Sequence, residues 1–208
     1  MSEFTKRIDA LGKSPQPFIT FYDGPNRTEL SGITAANWVM KAANYLVEEH
    51  QAVFQIQIAA PAHWQTMVWM IAAWRLGLTT STTTGDMKII GVNQKADSKN
   101  TLVLSLHPFA LPCAEPPEIG IDVNREVLNY PDALLFDPLA SEDLLLCAEP
   151  PLTHSAALAL PEQQRLLLQT SEFDCEKLIR AITSRQGLVV TTATSETEIE
   201  RIKQNEKL

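Results

Sequence analysis

Basic side chains are the scarcer charge in this chain: 17 Lys and Arg stand against 25 Asp and Glu, for a formal net charge of -8. That balance argues against nucleic acid as a partner, because binding a phosphate backbone needs a clustered Lys/Arg surface, and it disfavours anionic membranes for the same reason. Long apolar runs are missing as well. The opening residues Met1-Ser2-Glu3-Phe4-Thr5-Lys6-Arg7 lack the apolar core of a secretion signal, and no later run is long enough to span a bilayer. A cytoplasmic protein without a membrane or nucleic-acid partner is therefore expected. Cysteine is confined to Cys113, Cys147 and Cys175, an odd set with wide spacing and no Cys-x-x-Cys. Neither a disulfide framework nor a zinc site is expected from it, and the three read as reduced, mostly buried thiols. His50, His63, His107 and His154 are scattered without metal-ligand spacing and read as surface or packing residues. No Gly-x-Ser-x-Gly, Gly-x-Gly-x-x-Gly or paired catalytic carboxylate is present, so no metal, cofactor or catalytic residue is assigned.

What is there is ordinary globular material: 208 residues, 45% of them hydrophobic and 20% charged, enough for one domain or two closely packed subdomains. Phe18-Ile19-Thr20-Phe21-Tyr22, the turn Asp23-Gly24-Pro25-Asn26 and Arg27-Thr28-Glu29-Leu30 predict a hairpin. From about Thr34, Val39, Ala42, Ala43, Leu46 and Val47 recur at helical spacing, with Lys41, Asn44 and Glu48 opposite, which predicts an amphipathic surface helix. Phe54, Ile56 and Ile58 alternate with Gln55 and Gln57 as in a strand buried on one face, ended by Pro61. The next helix, 62–76, carries Trp64, Met67, Trp69, Met70, Ile71 and Trp74 almost all round, so it should be buried and capped by Gly77. Buried strands are expected at 88–92 and 101–106.

Between 107 and 151 the prolines Pro108, Pro112, Pro116, Pro117, Pro131, Pro138, Pro150 and Pro151 predict short elements and extended connections. This segment is expected to join two lobes, about 1–110 and 150–208. The last third alternates: a short helix at 154–159, a strand at 165–169, a helix at 174–186 stopped by Gly187, a strand at 188–191, and a terminal helix opened by the capping box Ser195-Glu196-Thr197-Glu198. Strands alternating with helices imply an α/β protein of two packed lobes, with largely parallel sheets flanked by helices. Glu196, Glu198, Glu200 and Glu206 read as a solvated helix face.

The order of several short motifs carries a resemblance. Pro17-Phe18-Ile19-Thr20-Phe21-Tyr22-Asp23, Arg27-Thr28-Glu29-Leu30-Ser31 and Ala42-Ala43-Asn44-Tyr45-Leu46 come first, then Ile58-Ala59-Ala60-Pro61-Ala62-His63-Trp64 and Ala72-Ala73-Trp74-Arg75-Leu76-Gly77. Leu152-Thr153-His154, Gln164-Arg165-Leu166-Leu167-Leu168, Gly187-Leu188-Val189-Val190 and Glu200-Arg201-Ile202 complete the set. Together they resemble the front part of acyl-CoA synthetases and related adenylate-forming enzymes, in particular a group of short relatives of them. The resemblance implies a strand running into a Thr-Ser-Gly-Thr-Thr-Gly-x-Pro-Lys loop that cradles ATP phosphates, immediately before the Thr-His pair.

This chain reads Leu146-Cys147-Ala148-Glu149-Pro150-Pro151-Leu152-Thr153-His154 there, with no Gly, no Lys and an added carboxylate. The prolines remove amide donors and Glu149 would repel phosphate. The acidic Mg²⁺ residue, the ribose-binding Asp and the lid Lys implied by the resemblance have no counterpart in the 208 residues. A second segment, Thr80-Ser81-Thr82-Thr83-Thr84-Gly85-Asp86-Met87-Lys88, matches the missing loop in part: Thr80, Ser81, Thr83, Thr84, Gly85 and Lys88 coincide, while Thr82 and Met87 do not. It lies far upstream, where a β-branched strand closed by Gly85-Asp86 explains it without a ligand. The expectation is a non-catalytic relative acting as a binding or interaction module, with self-association or a protein partner covering exposed apolar surface. An acyl- or nucleotide-dependent activity, retained or completed by a partner chain, and a vestigial protein are the alternatives.

Overall fold

The computed structural model describes residues 1–136 and 140–208; Pro138, counted above in the Pro-rich segment, lies outside the described residues. In chain order the elements are α1 (Glu3–Leu11), β1 (Pro17–Asp23), β2 (Asn26–Ser31), α2 (Gly32–Glu49), β3 (Gln55–Ile58), α3 (Trp64–Arg75), β4 (Thr79–Ser81), β5 (Met87–Gly91) and β6 (Thr101–Leu104). They continue with β7 (Ile121–Asp122), α4 (Val123–Glu126), β8 (Leu145–Cys147), β9 (Leu152–Thr153), α5 (His154–Leu158), β10 (Leu166–Gln169), α6 (Cys175–Ser184), β11 (Leu188–Thr191) and α7 (Glu196–Glu206). Among its described residues the Pro-rich segment holds only short elements, as fixed φ and missing amides require.

The strands form two sheets, one ordered β10-β11-β1-β2 and one β7-β6-β5-β3-β4-β8-β9. Pairing is parallel throughout except for β1 with β2 and β8 with β9. The expected α/β class with largely parallel sheets is the observed one. The expected division at the Pro-rich segment is not. Strand β1 of the N-terminal hairpin pairs with β11, Ile19 opposite Leu188 and Phe21 opposite Val190, so the hairpin belongs with the last third of the chain. Periodicity marks a strand but carries no address for a parallel partner far along the chain.

Helix α3 is buried at all twelve positions because it packs against α2 and also touches α1, β1 of one sheet and β3 and β4 of the other. One apolar cluster accordingly joins Phe21 and Val190 to Trp74, Ile56, Ile89 and Leu104. The first sheet alternates faces in the way a pleat demands: Ile19 and Phe21 enter that cluster, while Tyr22 and Val189 pack with Ile202 of α7 on the other side. Gly77 ends α3 with φ +79, and a Cβ there would sit 2.9 Å from Leu144 Cδ1.

Four local expectations are corrected. Phe54 precedes β3 and is 75% exposed, although Ile56 is fully buried, so the apolar alternation does not extend back to it. Asn44, placed on the solvent face of α2, is buried: its amide donates to Pro131 O at 2.9 Å and Ala133 O at 2.8 Å, and its oxygen accepts from Leu135 N. Glu206 is not solvated, since its carboxylate accepts from Tyr22 OH at 2.7 Å and Arg27 Nε at 2.8 Å and pairs with Arg165 at 3.0 Å. That cluster ties the end of α7 to the face of the first sheet. Last, the cysteines are not three thiols: Cys147 and Cys175, 28 residues apart, are bonded, with Cα atoms 6.8 Å apart, and Cys113 is free and buried. An odd set permits one bond and one free thiol, and the fold, not the spacing, brings the end of β8 to the start of α6.

Candidate functional site

The cleft with the most chemistry around it lies where β4 and β8 end. It encloses about 210 Å³ between an apolar wall, including Ile58, Ala60, Met70 and Phe173, and a polar rim that includes Ser81, Thr82, Glu149 and Asp174. The bonded Cys147 and Cys175 also line it. Parallel strands put their C-terminal ends, and the turns that follow, along one edge, which is where open α/β sheets place ligands.

The 81–84 turn is built from the sequence as follows. Thr80 lies in β4, where its hydroxyl donates to Leu146 O at 2.9 Å and accepts from Trp74 Nε1 at 3.0 Å. Gly85 passes so close to β3 that a Cβ would meet Gln57 N at 2.3 Å, which excludes every other residue there. Asp86 accepts from the Phe54 and Gln55 amides, both at 3.0 Å, and those bonds hold its carboxyl below the usual range. Gln55 Nε2 donates to Thr84 O at 3.1 Å, and Gln57 Nε2 to Thr82 O at 3.4 Å. The glutamines that alternate with Ile56 thus scaffold the turn.

Within the turn, Ser81 Oγ accepts from Thr83 N at 3.1 Å and Thr84 N at 3.2 Å. Having accepted two amides, this hydroxyl has its own hydrogen left to give, and it donates to Glu149 Oε1 at 3.1 Å. Thr83 Oγ1 donates to the same oxygen at 3.0 Å, and Thr82 N donates to Oε2 at 3.1 Å. Both carboxylate oxygens are therefore engaged. The Thr82 amide leads in holding the Glu149 carboxyl below its ordinary value, against partial desolvation, with the Ser81 and Thr83 hydroxyls adding to it.

Of the six residues matched to a phosphate loop, the fold brings only Ser81 and Thr83 to this anion. Thr80 is a core hydroxyl, Thr84 faces Gln55, Gly85 is packed on β3, and the Lys88 amine pairs with Asp97 at 2.7 Å. The Thr82 backbone amide, invisible in a comparison of side chains, completes the set. None of the described residues lining the cleft is Lys or Arg.

The Thr153-His154 pair is structural. Thr153 caps α5, accepting from Ala156 N at 3.1 Å, and His154 is fully buried with Nδ1 2.7 Å from Ser2 Oγ. Ser2, His154 and the nearby Glu142 have the residue types of a hydrolytic triad, but Ser2 is 1% exposed, so no substrate reaches it. His63 caps α3 by accepting from Gln65 N at 3.2 Å and packs edge-on against Phe21. Burial pushes both His63 and His154 down to about 4. Among the described residues no group of three or more His, Cys, Asp or Glu could hold a metal ion. Burial and the neighbouring Asp122 push the Cys113 thiol up to about 11, which makes it a poor nucleophile.

No protein-family model matches the chain. A Brucella canis acyl-CoA synthetase is similar in structure with a TM-score of 0.76 at 11% identity, over 99% of this chain and 46% of that one. The N-terminal domain of FACL13 from Mycobacterium tuberculosis gives a TM-score of 0.65 at 12% identity, over 100% of this chain and 62% of that one. In sequence, a Mycobacterium tuberculosis protein named TIGR03089 family protein is 34% identical over 132 residues, 55% of this chain and 52% of its own length. The fold is that of the N-terminal region of acyl-CoA synthetases and other adenylate-forming enzymes, and the chain spans about half the length of the proteins it matches.

Proposed function

We propose that this chain is a non-catalytic acyl-CoA synthetase-like protein that acts as a binding or interaction module. The observation that carries this reading is the position of Glu149. Where the resembling enzymes run from a strand into a glycine-rich phosphate loop, this chain leaves β8 through Ala148, Glu149, Pro150 and Pro151, and the Glu149 carboxylate sits on three donors of the 81–83 turn. A phosphate brought to this edge would meet a carboxylate instead of Lys and free amides. Electrostatic clamps on the transferring group supply much of such a reaction's rate, about a hundredfold to a thousandfold per donor. The test is exchange of labelled pyrophosphate into ATP by the purified chain with a panel of carboxylic acids. No exchange above background is expected, and exchange that survives repurification would refute the non-catalytic reading.

An interaction role is supported by apolar side chains left in water. Leu135 is 74% exposed and Phe136 61%, and Phe136 lines a groove with Leu46, Val53, Leu76 and Leu78. Burying such surface is favourable, and the simplest partner is a second copy of the chain. Sedimentation velocity at high micromolar concentration is expected to show a dimer that Phe136→Ser weakens; a strict monomer would remove this part of the proposal. The cytoplasmic setting is likewise a proposal. Among the described residues no helix is long and apolar enough to cross a membrane. A glutathione-buffered compartment favours thiols over the Cys147–Cys175 bond, so alkylating free thiols at lysis tests the setting. Alkylated Cys147 and Cys175 support it, and a protected pair argues for an oxidising compartment.

A further inference from the structure

We propose that the 81–83 turn is an oxyanion-binding site, distinct in position from the segment after β8, and that Glu149 is its built-in occupant, a tethered competitor for any small free anion. Three observations support it. The turn is held by contacts other than Glu149: Ser81 Oγ is fixed by the Thr83 and Thr84 amides, and the Thr82 and Thr84 carbonyls are held by Gln57 and Gln55. Preorganised donors lose little order on binding, so they favour an anion more than a mobile loop would. They converge on one group, with Oε1 taking two hydroxyls and Oε2 one amide, all within 3.1 Å. The turn is also reachable, since Thr82, Thr83 and Glu149 are exposed and Ser81, Thr82 and Glu149 line the cleft of about 210 Å³.

The lining holds no Lys or Arg, and its second carboxylate, Asp174, is paired with Lys177 at 3.1 Å, so the turn's neutral donors set the ligand class. Neutral donors alone suit a small oxyanion, a carboxylate or a phosphate, presented by a ligand short enough for the cleft. A tethered carboxylate acts at an effective concentration in the millimolar range or above, so a free anion at lower concentration does not displace it. Removing the tether opens the site. This inference rests on the contact between Glu149 and the turn and not on the absence of adenylation, so it can fail while the non-catalytic reading stands.

The experiment follows the Thr82 backbone amide in ¹⁵N-labelled protein titrated with sodium acetate and, separately, with inorganic phosphate. In the native chain this resonance is expected to stay put. In Glu149→Ala, and in Glu149→Gln, which keeps the side-chain length, it is expected to move saturably with at least one of the two anions, at concentrations that leave the native resonance in place. Acetate alone would mark the site as a carboxylate receptor, and phosphate alone as a phosphate receptor; either supports the proposal. Adding Thr83→Val to Glu149→Ala removes one donor and should weaken the response by about tenfold. A Thr82 amide that ignores both anions in both variants, while the rest of the spectrum keeps its native dispersion, would overturn the proposal. So would a native chain that responds as strongly as the variants.

Discussion

Helix α3 and the 81–84 turn are close along the chain and linked through Thr80, whose hydroxyl takes the Trp74 indole hydrogen. They are built on opposite terms. The helix is held by burial, with every residue from Trp64 to Arg75 enclosed by α2 and the two sheets, and the polar groups of Gln65, Thr66 and Trp74 are spent on the scaffold. The turn is held by hydrogen bonds at the surface, and three of its donors are spent on a carboxylate from another part of the chain. Packing of this kind can persist whatever happens at the sheet edge. Chemistry at the edge depends on a handful of groups, and in this chain a glutamate and two prolines stand among them.

If that contrast holds, substitutions in the enclosed region should cost stability, and substitutions in the turn should change binding with little cost. The largest effect is expected for Trp74→Ala. Trp74 is fully buried and donates to both Thr80 Oγ1 and Leu146 O, so its loss should lower the unfolding free energy by the upper end of about 3–5 kcal/mol, read from urea midpoints. A change no larger than that of a surface substitution would break the comparison on its packed side.

The Cys147–Cys175 bond comes next. It closes a loop across 28 residues, and opening it with dithiothreitol should cost about 3–4 kcal/mol by the loop-entropy estimate. A urea midpoint that does not respond to reductant would show that the bond contributes nothing.

The third expectation concerns acid. His63 and His154 are buried neutral, with values pushed down to about 4 from an ordinary value near 6.5. The stability they protect is therefore present above about 6.5 and lost as pH falls towards 4, because the unfolded chain takes up the protons first. For His63 the loss amounts to about 3 kcal/mol across that window, and His154 acts in the same direction. Asparagine can also cap a helix, so His63→Asn should flatten the pH dependence while keeping α3 started. An equally steep acid profile in that variant would show that His63 does not carry it. The smallest effect belongs to the turn: Glu149 is exposed, and Glu149→Ala should leave the urea midpoint close to native.

Much of the packed region was legible because burial leaves a periodic signature. The apolar circumference of Trp64, Met67, Trp69 and Met70 announced an enclosed helix, and Phe18-Ile19-Thr20-Phe21-Tyr22 announced the first strand of a hairpin. What periodicity cannot carry is the identity of a distant partner. The pairing of β1 with β11, the docking of Asn44 under residues 131–135, the capture of Glu206 by Arg27 and Arg165, and the Cys147–Cys175 bond all depend on where the chain returns in space. The turn was half legible. Hydroxyls in the 80–88 segment and the misplaced Glu149 were both evident, and only the fold shows that one holds the other. Lys88 misled for the same reason, because its partner Asp97 lies in a loop beyond β5.

The sheet edge where β4 and β8 end is occupied by the chain's own Glu149 carboxylate, held on the 81–83 turn. Titrating Mg²⁺-ATP into the native chain by calorimetry tests it most directly. No saturable heat is expected up to about 1 mM nucleotide; binding tighter than that, abolished by substitutions at 148–151 or 81–83, would show that Glu149 does not close this edge to nucleotide.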